Sequence, residues 1–127
     1  MALRNAMDVV LRPLHLTVPQ YACLELLGQR PGLSNAELAR GAFVTRQSMN
    51  VVLHGLEGRC LVTRPATAPR GRELPAALTQ AGRDHLHAAS AAVRSIEEKM
   101  CAGLTPARQH ALLDTLAACV RNLADNP

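Results

Sequence analysis

The sequence predicts a mainly α-helical fold interrupted by a small β-hairpin, and three observations lead there. Apolar residues recur every three or four positions through most of the chain, the mark of helices with one buried face. After Gly58 that period breaks, and short β-like runs alternate with proline and glycine. Apolar residues make up 48% of the chain and aromatics only 2%, so the core is built from Leu, Val and Ala, which suits packed helices better than a sheet sandwich. At 127 residues the chain is a single domain by length, 1–127, with room for a real core but short of most two-domain enzymes.

The first helix runs from Ala2 to Leu14, where Leu3, Met7, Val10, Leu11 and Leu14 fall at helical spacing and Pro13 disturbs the last turn. Thr17 caps a second helix with Pro19 in its first turn, which carries Tyr21, Leu24 and Leu27 and stops at the punctuation GQRPG. Ser34 and Glu37 stand at the spacing of a capping box and open a third helix, NAELARG, which Gly41 closes. Thr45 caps the fourth. Its inner side holds Met49, Val52, Leu53 and Leu56, and its outer side holds Arg46, Gln47, Asn50, His54 and Glu57. CLVTR, residues 60–64, then reads as a strand, PATAPRGR as a loop, and ELPAALT, residues 73–79, as a returning strand that Pro75 confines to a sheet edge. Thr79 caps a long helix reaching Met100, with Leu86, Ala89, Val93 and Ile96 at helical spacing, and Gly103 ends it. A last helix opens at Thr105 with Pro106 in its first position and repeats Leu112, Leu113, Leu116, Val120 and Leu123.

Three compact helices followed by a hairpin make a winged helix-turn-helix over residues 17–79, whose second tight-turn helix is a candidate for a DNA major groove. The flanking segments 1–15 and 80–127 are too apolar and elongated to cover one small domain alone. They read as dimerisation helices, so a homodimer is expected.

Charge points the same way. The net charge is +4, but between Arg40 and Arg72 six arginines (Arg40, Arg46, Arg59, Arg64, Arg70, Arg72) stand against Glu57 alone. A basic region confined to one supersecondary unit fits a polyanion, with nucleic acid first. On the outer face of the fourth helix, Thr45, Arg46, Gln47, Ser48, Asn50 and His54 are side chains that donate to phosphates and base edges. Arg46, Gln47 and Asn50 are the base-edge candidates, since Arg suits guanine and Asn or Gln suits adenine. Ser34 and Asn35 lie at a helix N-terminus, where small polar side chains hold a phosphate, cap the helix, or both. Arg64, Arg70 and Arg72 flank the wing tip.

Other function classes find little support. Cys23, Cys60, Cys101 and Cys119 form no C-x-x-C pair and have no histidines at zinc-finger spacing, which makes a reduced, cytoplasmic protein the default. His85 and His87 point to different helix faces, leaving Asp84 with His87 as the one ligand-like pair and no metal site. No catalytic Ser/His/Asp grouping, phosphate loop or dinucleotide turn is present, so neither an enzyme nor a cofactor is expected. The N-terminus MALRNAMDVVLRPLHL, with arginines breaking its apolar runs, does not read as a signal peptide. Nor does any stretch approach the ~20 apolar residues of a membrane span.

Taken together, the segments LTVPQYACLELL (second helix), GLSNAELAR (third), VTRQSMNVVLHGLE (recognition helix), CLVTR (wing strand) and LTQAGRDHL (after the wing) resemble the MarR family of bacterial transcriptional regulators. The resemblance covers nearly the whole chain, and LTQAGRDHL is its most specific part. It implies a dimeric, sequence-specific DNA-binding regulator, a repressor whose affinity for a pseudo-palindromic operator a small ligand lowers. Two positions depart from the pattern. Where the family wing often has Asp-Arg-Arg, this chain has Arg70, Gly71 and Arg72, which leaves Arg72 to inherit the minor-groove arginine with Arg70 as substitute. The family commonly has glycine where Cys60 stands, which argues against a left-handed backbone there. Relatives hold small aromatic or amphipathic acids between the winged helix and the dimer bundle, and by that analogy Arg12 and His15 of LRPLHL would meet an effector carboxylate. Some relatives sense peroxides through a cysteine in the first helix, which has none here. Cys23 and Cys119, on apolar faces, read as inert core residues, and Cys60 and Cys101 as the better-placed thiols. The competing reading is a winged-helix protein–protein interaction module without direct DNA binding, and salt dependence separates the two.

Overall fold

The computed structural model describes residues 1–65 and 75–124. Its elements are α1 (Ala2–Leu11), a 3₁₀ turn at Arg12–Leu14, α2 (Val18–Gln29), α3 (Asn35–Ala42), α4 (Arg46–Gly58), β1 (Val62–Thr63), β2 (Ala77–Leu78), α5 (Gln80–Met100) and α6 (Pro106–Ala124). The winged helix-turn-helix order is the expected one.

The helix starts follow their caps. The Thr17 hydroxyl accepts from the Gln20 backbone N–H at 3.3 Å while the Gln20 side chain accepts from the Thr17 N–H at 2.9 Å, and Ser34 and Glu37 repeat the arrangement for α3. Each box satisfies two backbone donors that a helix start otherwise leaves unpaired. Proline after Arg12 turns the end of α1 into the 3₁₀ segment, because it cannot supply the N–H that would continue the α-helix. The end of α3 differs from expectation. Gly41 lies inside the helix, and Phe43 takes the left-handed conformation (φ 58°) that closes it. A Cβ on Gly41 would sit 2.8 Å from Leu26 Cδ1, so this glycine serves the close approach of α3 to α2 rather than the turn.

The chain divides into two compact units, residues 1–96 and 97–127. In the first, Leu24 and Leu27 of α2, Leu38 of α3 and Met49, Leu53 and Leu56 of α4 form the centre of the core. Leu11 of α1 and Ala89 and Val93 of α5 belong to the same core. The first helix and most of the long helix are therefore structural parts of the unit that holds the winged helix as well as candidates for dimerisation. Each fully buried Leu contributes on the order of 1.5–3 kcal/mol relative to an exposed one. The second unit holds the end of α5, a turn with Gly103 at φ +84°, and α6, whose start Thr105 caps by accepting from the Arg108 N–H at 3.2 Å. None of the residues of α6 is buried, and Leu112, Leu113, Leu116, Val120 and Leu123 lie exposed along it.

Among the described residues of the runs 60–64 and 73–79, Val62 pairs with Leu78 and Thr63 with Ala77, antiparallel. Ala76 is spent elsewhere: its N–H donates to the Leu33 carbonyl at 3.1 Å and its carbonyl accepts from the Gly32 N–H at 3.0 Å, joining the wing to the loop before α3. The wing tip, with Arg70 and Arg72, lies outside the described residues.

Where α4 meets the wing, Cys60 takes φ 59°, so the left-handed backbone persists without glycine. Local bonds hold it there. The Cys60 N–H donates to the Glu57 carbonyl at 2.9 Å, and the Cys60 carbonyl accepts from the Thr79 hydroxyl at 2.6 Å. That hydroxyl also accepts from the Gly82 N–H at 3.0 Å, capping α5. The Leu61 carbonyl in turn accepts from the Thr79 N–H at 3.1 Å and lies so close to α5 that a Cβ on Gly82 would stand 2.0 Å from it. No rotamer change relieves a clash with a backbone carbonyl. Gly82→Ala should therefore cost about 3 kcal/mol or more in a denaturant titration. Gly58→Ala is the control, because an added Cβ there meets nothing within 4 Å. Equal stability of the two variants would contradict the close approach.

Candidate nucleic-acid interface

The buried positions Met49, Leu53 and Leu56 fix the orientation of α4, and the opposite side follows from 3.6 residues per turn. Thr45 caps this helix: its hydroxyl accepts from the Ser48 N–H at 3.0 Å and donates to the Ser48 hydroxyl at 3.0 Å. Both residues are exposed, and so are Arg46, Gln47, Asn50 and His54, whose side chains make no hydrogen bond or ion pair among the described residues. Four donors are thus held on one rigid helix with their hydrogen-bonding capacity unspent. One further residue on this face escaped the sequence reading. Val51 is exposed to 70% between Gln47 and His54, and only its place on the helix, not its residue type, marks it.

The arginines divide by what they touch. Arg64 is committed: its Nε donates to Glu57 Oε1 at 2.6 Å, and its terminal nitrogen makes the ion pair with the same carboxylate. Arg59 donates to the His15 carbonyl at 2.6 Å and the Leu14 carbonyl at 3.3 Å, fastening the end of α4 to the 3₁₀ turn. Arg40 and Arg46 are exposed. The basic count between Arg40 and Arg72 therefore overstates the charge free to meet a polyanion, because two of its arginines serve the fold.

Ser34 is buried at 5% exposure, and its hydroxyl both accepts from the Glu37 N–H and donates to Glu37 Oε1 at 3.0 Å. It caps α3, the role the sequence gives it beside that of a phosphate contact. The Ser34 backbone N–H and then its hydroxyl, both donating to Glu37 Oε1, hold the Glu37 carboxyl below its ordinary range, with Arg40 and Arg30 adding to the effect. Asn35 is half-buried, and its Oδ1 has no hydrogen-bond partner among the described residues.

Burial pushes the Cys23 thiol up to about 12, with Arg64 opposing the shift, so this cysteine is inert at neutral pH. Cys60 and Cys119 are exposed and Cys101 is half-buried, so the core position expected for Cys119 is not found within the chain. Among the described residues no three potential metal ligands lie together, and no helix is long and apolar enough to cross a membrane.

A crevice of about 510 Å³ opens between the end of α2, β2 and the first half of α5. Leu78, Leu86 and Pro31 give it an apolar wall, Arg83 and His87 line it as well, and Glu25 accepts there from Ser90 at 3.1 Å. Arg12 and His15 are exposed and lie outside its lining.

The Glu57–Arg64 pair yields a test of the interface. Glu57→Gln removes the one acid in the basic segment and frees the Arg64 guanidinium at the base of the wing. Affinity for random-sequence DNA should rise, and the log–log salt slope should steepen by about 1 unit, the size of one added phosphate contact. An unchanged slope in fluorescence anisotropy would place Arg64 away from the nucleic acid.

Comparison with known proteins agrees with this geometry. The MarR family profile matches residues 15–73. The HTH-type transcriptional repressor Rv2887 of Mycobacterium tuberculosis is 49% identical over 107 residues, 84% of this chain and 77% of the relative. The crystal structure of Rv2887 in complex with DNA superimposes with a TM-score of 0.79 at 43% identity, covering 92% of this chain and 87% of that one. Its complex with salicylic acid gives 0.78 at 45% identity, covering 93% and 87%. The repressor CouR bound to a 23-mer DNA duplex gives 0.82 at 28% identity, covering 94% and 84%. With the helix order, the capped recognition helix, the paired wing strands and these relatives in accord, the chain belongs to the MarR family.

Proposed function

We propose that the protein is a homodimeric, sequence-specific DNA-binding transcriptional repressor that a small-molecule ligand releases from its operator. The observation that carries this is the outer face of α4, where Arg46, Gln47, Asn50 and His54 stand exposed and, among the described residues, without a hydrogen-bond partner. A helix of this kind, seated on a hydrophobic core and preceded by a tight turn, presents its first turns to the major groove. The exposed leucines of α6 support the dimer, because an apolar stripe from Leu112 to Leu123 is too long to leave in water.

The ligand reading rests on the crevice between α2, β2 and α5 and on the relatives. Rv2887 has been crystallised with salicylic acid and with p-aminosalicylic acid. The crevice is of the size that takes a small aromatic molecule, and Arg83 and His87 are the side chains there that would meet a carboxylate. An occupant would bear on α2 and on the root of the wing at once, and so on how α4 and the wing are presented. Arg12 and His15 remain candidates only for a contact outside this crevice.

The wing and the recognition helix make separable contributions. Arg72, with Arg70, acts through phosphates and the potential of a narrow minor groove, which depends on DNA charge and shape more than on base identity. Arg46, Gln47 and Asn50 carry the sequence preference through base-edge hydrogen bonds. Arg72→Ala should therefore weaken operator and random DNA together and reduce the salt slope by about 1 unit. Asn50→Ala should spare random DNA and cost on the order of 1–3 kcal/mol at the operator. Salt titrations on fragments selected from genomic DNA and on a scrambled duplex read both effects. Binding that ignores salt would favour a protein-interaction module instead.

A further inference from the structure

Val51 stands at the middle of α4, two positions from each of the buried residues Met49 and Leu53 and therefore on the side facing away from the core. It is exposed to 70%, while the adjacent Val52 is half-buried against the core. Gln47, one turn before it, and His54, three residues after it, share its side of the helix and are exposed as well. A β-branched side chain lowers helix propensity, and here most of it stays exposed. The fold gives no reason for a valine at this position.

We propose that Val51 is a specificity-determining residue that packs its two methyl groups against the 5-methyl groups of thymines in the major groove. The inference rests on the DNA-binding reading of α4 above. Only thymine presents an apolar group on the major-groove edge, whereas the other bases offer hydrogen-bond donors and acceptors. An aliphatic side chain on the groove-facing side discriminates by burying that methyl and by leaving polar base edges without a partner when the base is wrong. Gln47 and His54 on either side fix the neighbouring base edges by hydrogen bonds, so Val51 reads the step between them. The operator half-site should therefore carry a thymine at its centre of contact with α4.

The test replaces thymine by deoxyuridine in the operator selected by the purified full-length protein, first throughout and then one position at a time. This removes the methyl and leaves the Watson–Crick pairing intact. The unmodified protein should lose about three- to fourfold in affinity for each thymine that Val51 touches, and about tenfold when both half-sites are replaced. Val51→Ala sits at an exposed helix position and raises helix propensity, so it folds; it should bind the thymine operator more weakly and show no further loss on deoxyuridine. Val51→Thr keeps one methyl and should keep part of the sensitivity. If Val51→Ala loses as much on deoxyuridine as the unmodified protein, or if the unmodified protein is indifferent to the replacement, the proposal is overturned while DNA binding stands. Failure of the unmodified protein to bind any selected duplex would instead overturn the DNA-binding reading and the proposal with it.

Discussion

The rest of the structure depends on one close approach, the carbonyl of Leu61 against the backbone of α5 at Gly82. A side chain on residue 82 would begin 2.0 Å from that oxygen, so the contact exists only because glycine stands there. Around it the chain changes direction twice. Cys60 leaves α4 through a left-handed conformation, and Thr79 ties the Cys60 carbonyl to the first turn of α5 with a single hydroxyl. The end of the recognition helix, both wing strands and the start of the long helix thus meet within a few residues. A left-handed non-glycine residue costs on the order of 1–2 kcal/mol, and the hydrogen bonds at Cys60 and Thr79 offset it. A shift of α5 would bear on the wing and α4 at this junction as well as through the core that α5 shares with α4.

That junction explains why the charged residues of the segment are not equivalent. Arg59 and Arg64 are drawn into the fold, one fastening the 3₁₀ turn and the other the Glu57 carboxylate. The side chains left over lie on the outer face of α4. Among the described residues nothing takes up their hydrogen-bonding capacity, and the helix that carries them is fixed by core contacts at Met49, Leu53 and Leu56. Preorganised, uncommitted donors give sequence discrimination, because a wrong base leaves them unpaired. Val51 among them adds an apolar element that the polar code lacks.

Much of this was legible in the sequence, for physical reasons that can be named. Thr17, Ser34, Thr45, Thr79 and Thr105 were readable as helix starts because capping is a local interaction within four residues. The buried faces of α2 and α4 were readable because helical period is local too. What escaped depends on partners distant in sequence. Gly41 looks like a terminator until Leu26 is seen against it, and Ala76 looks like part of the returning strand until it is found bonded to Gly32 and Leu33. Arg59 and Arg64 look free until their carbonyl and carboxylate partners appear. Cys60 looks incompatible with a left-handed backbone until its two hydrogen bonds are counted. Val51 gives no such signal in the sequence, because valine is a residue type that cores use and its exposure depends on the orientation of α4.

In the proposed complex two copies of this chain place α4 in successive major grooves on one face of the duplex. Dimethyl sulfate footprinting reads this arrangement, since the reagent methylates guanine N7 in the major groove and adenine N3 in the minor groove. On the selected operator guanine N7 protection should fall in two symmetric patches whose centres lie about 10 bp apart. Protection at one patch alone, or at adenine N3 with every guanine N7 still reactive, would contradict it.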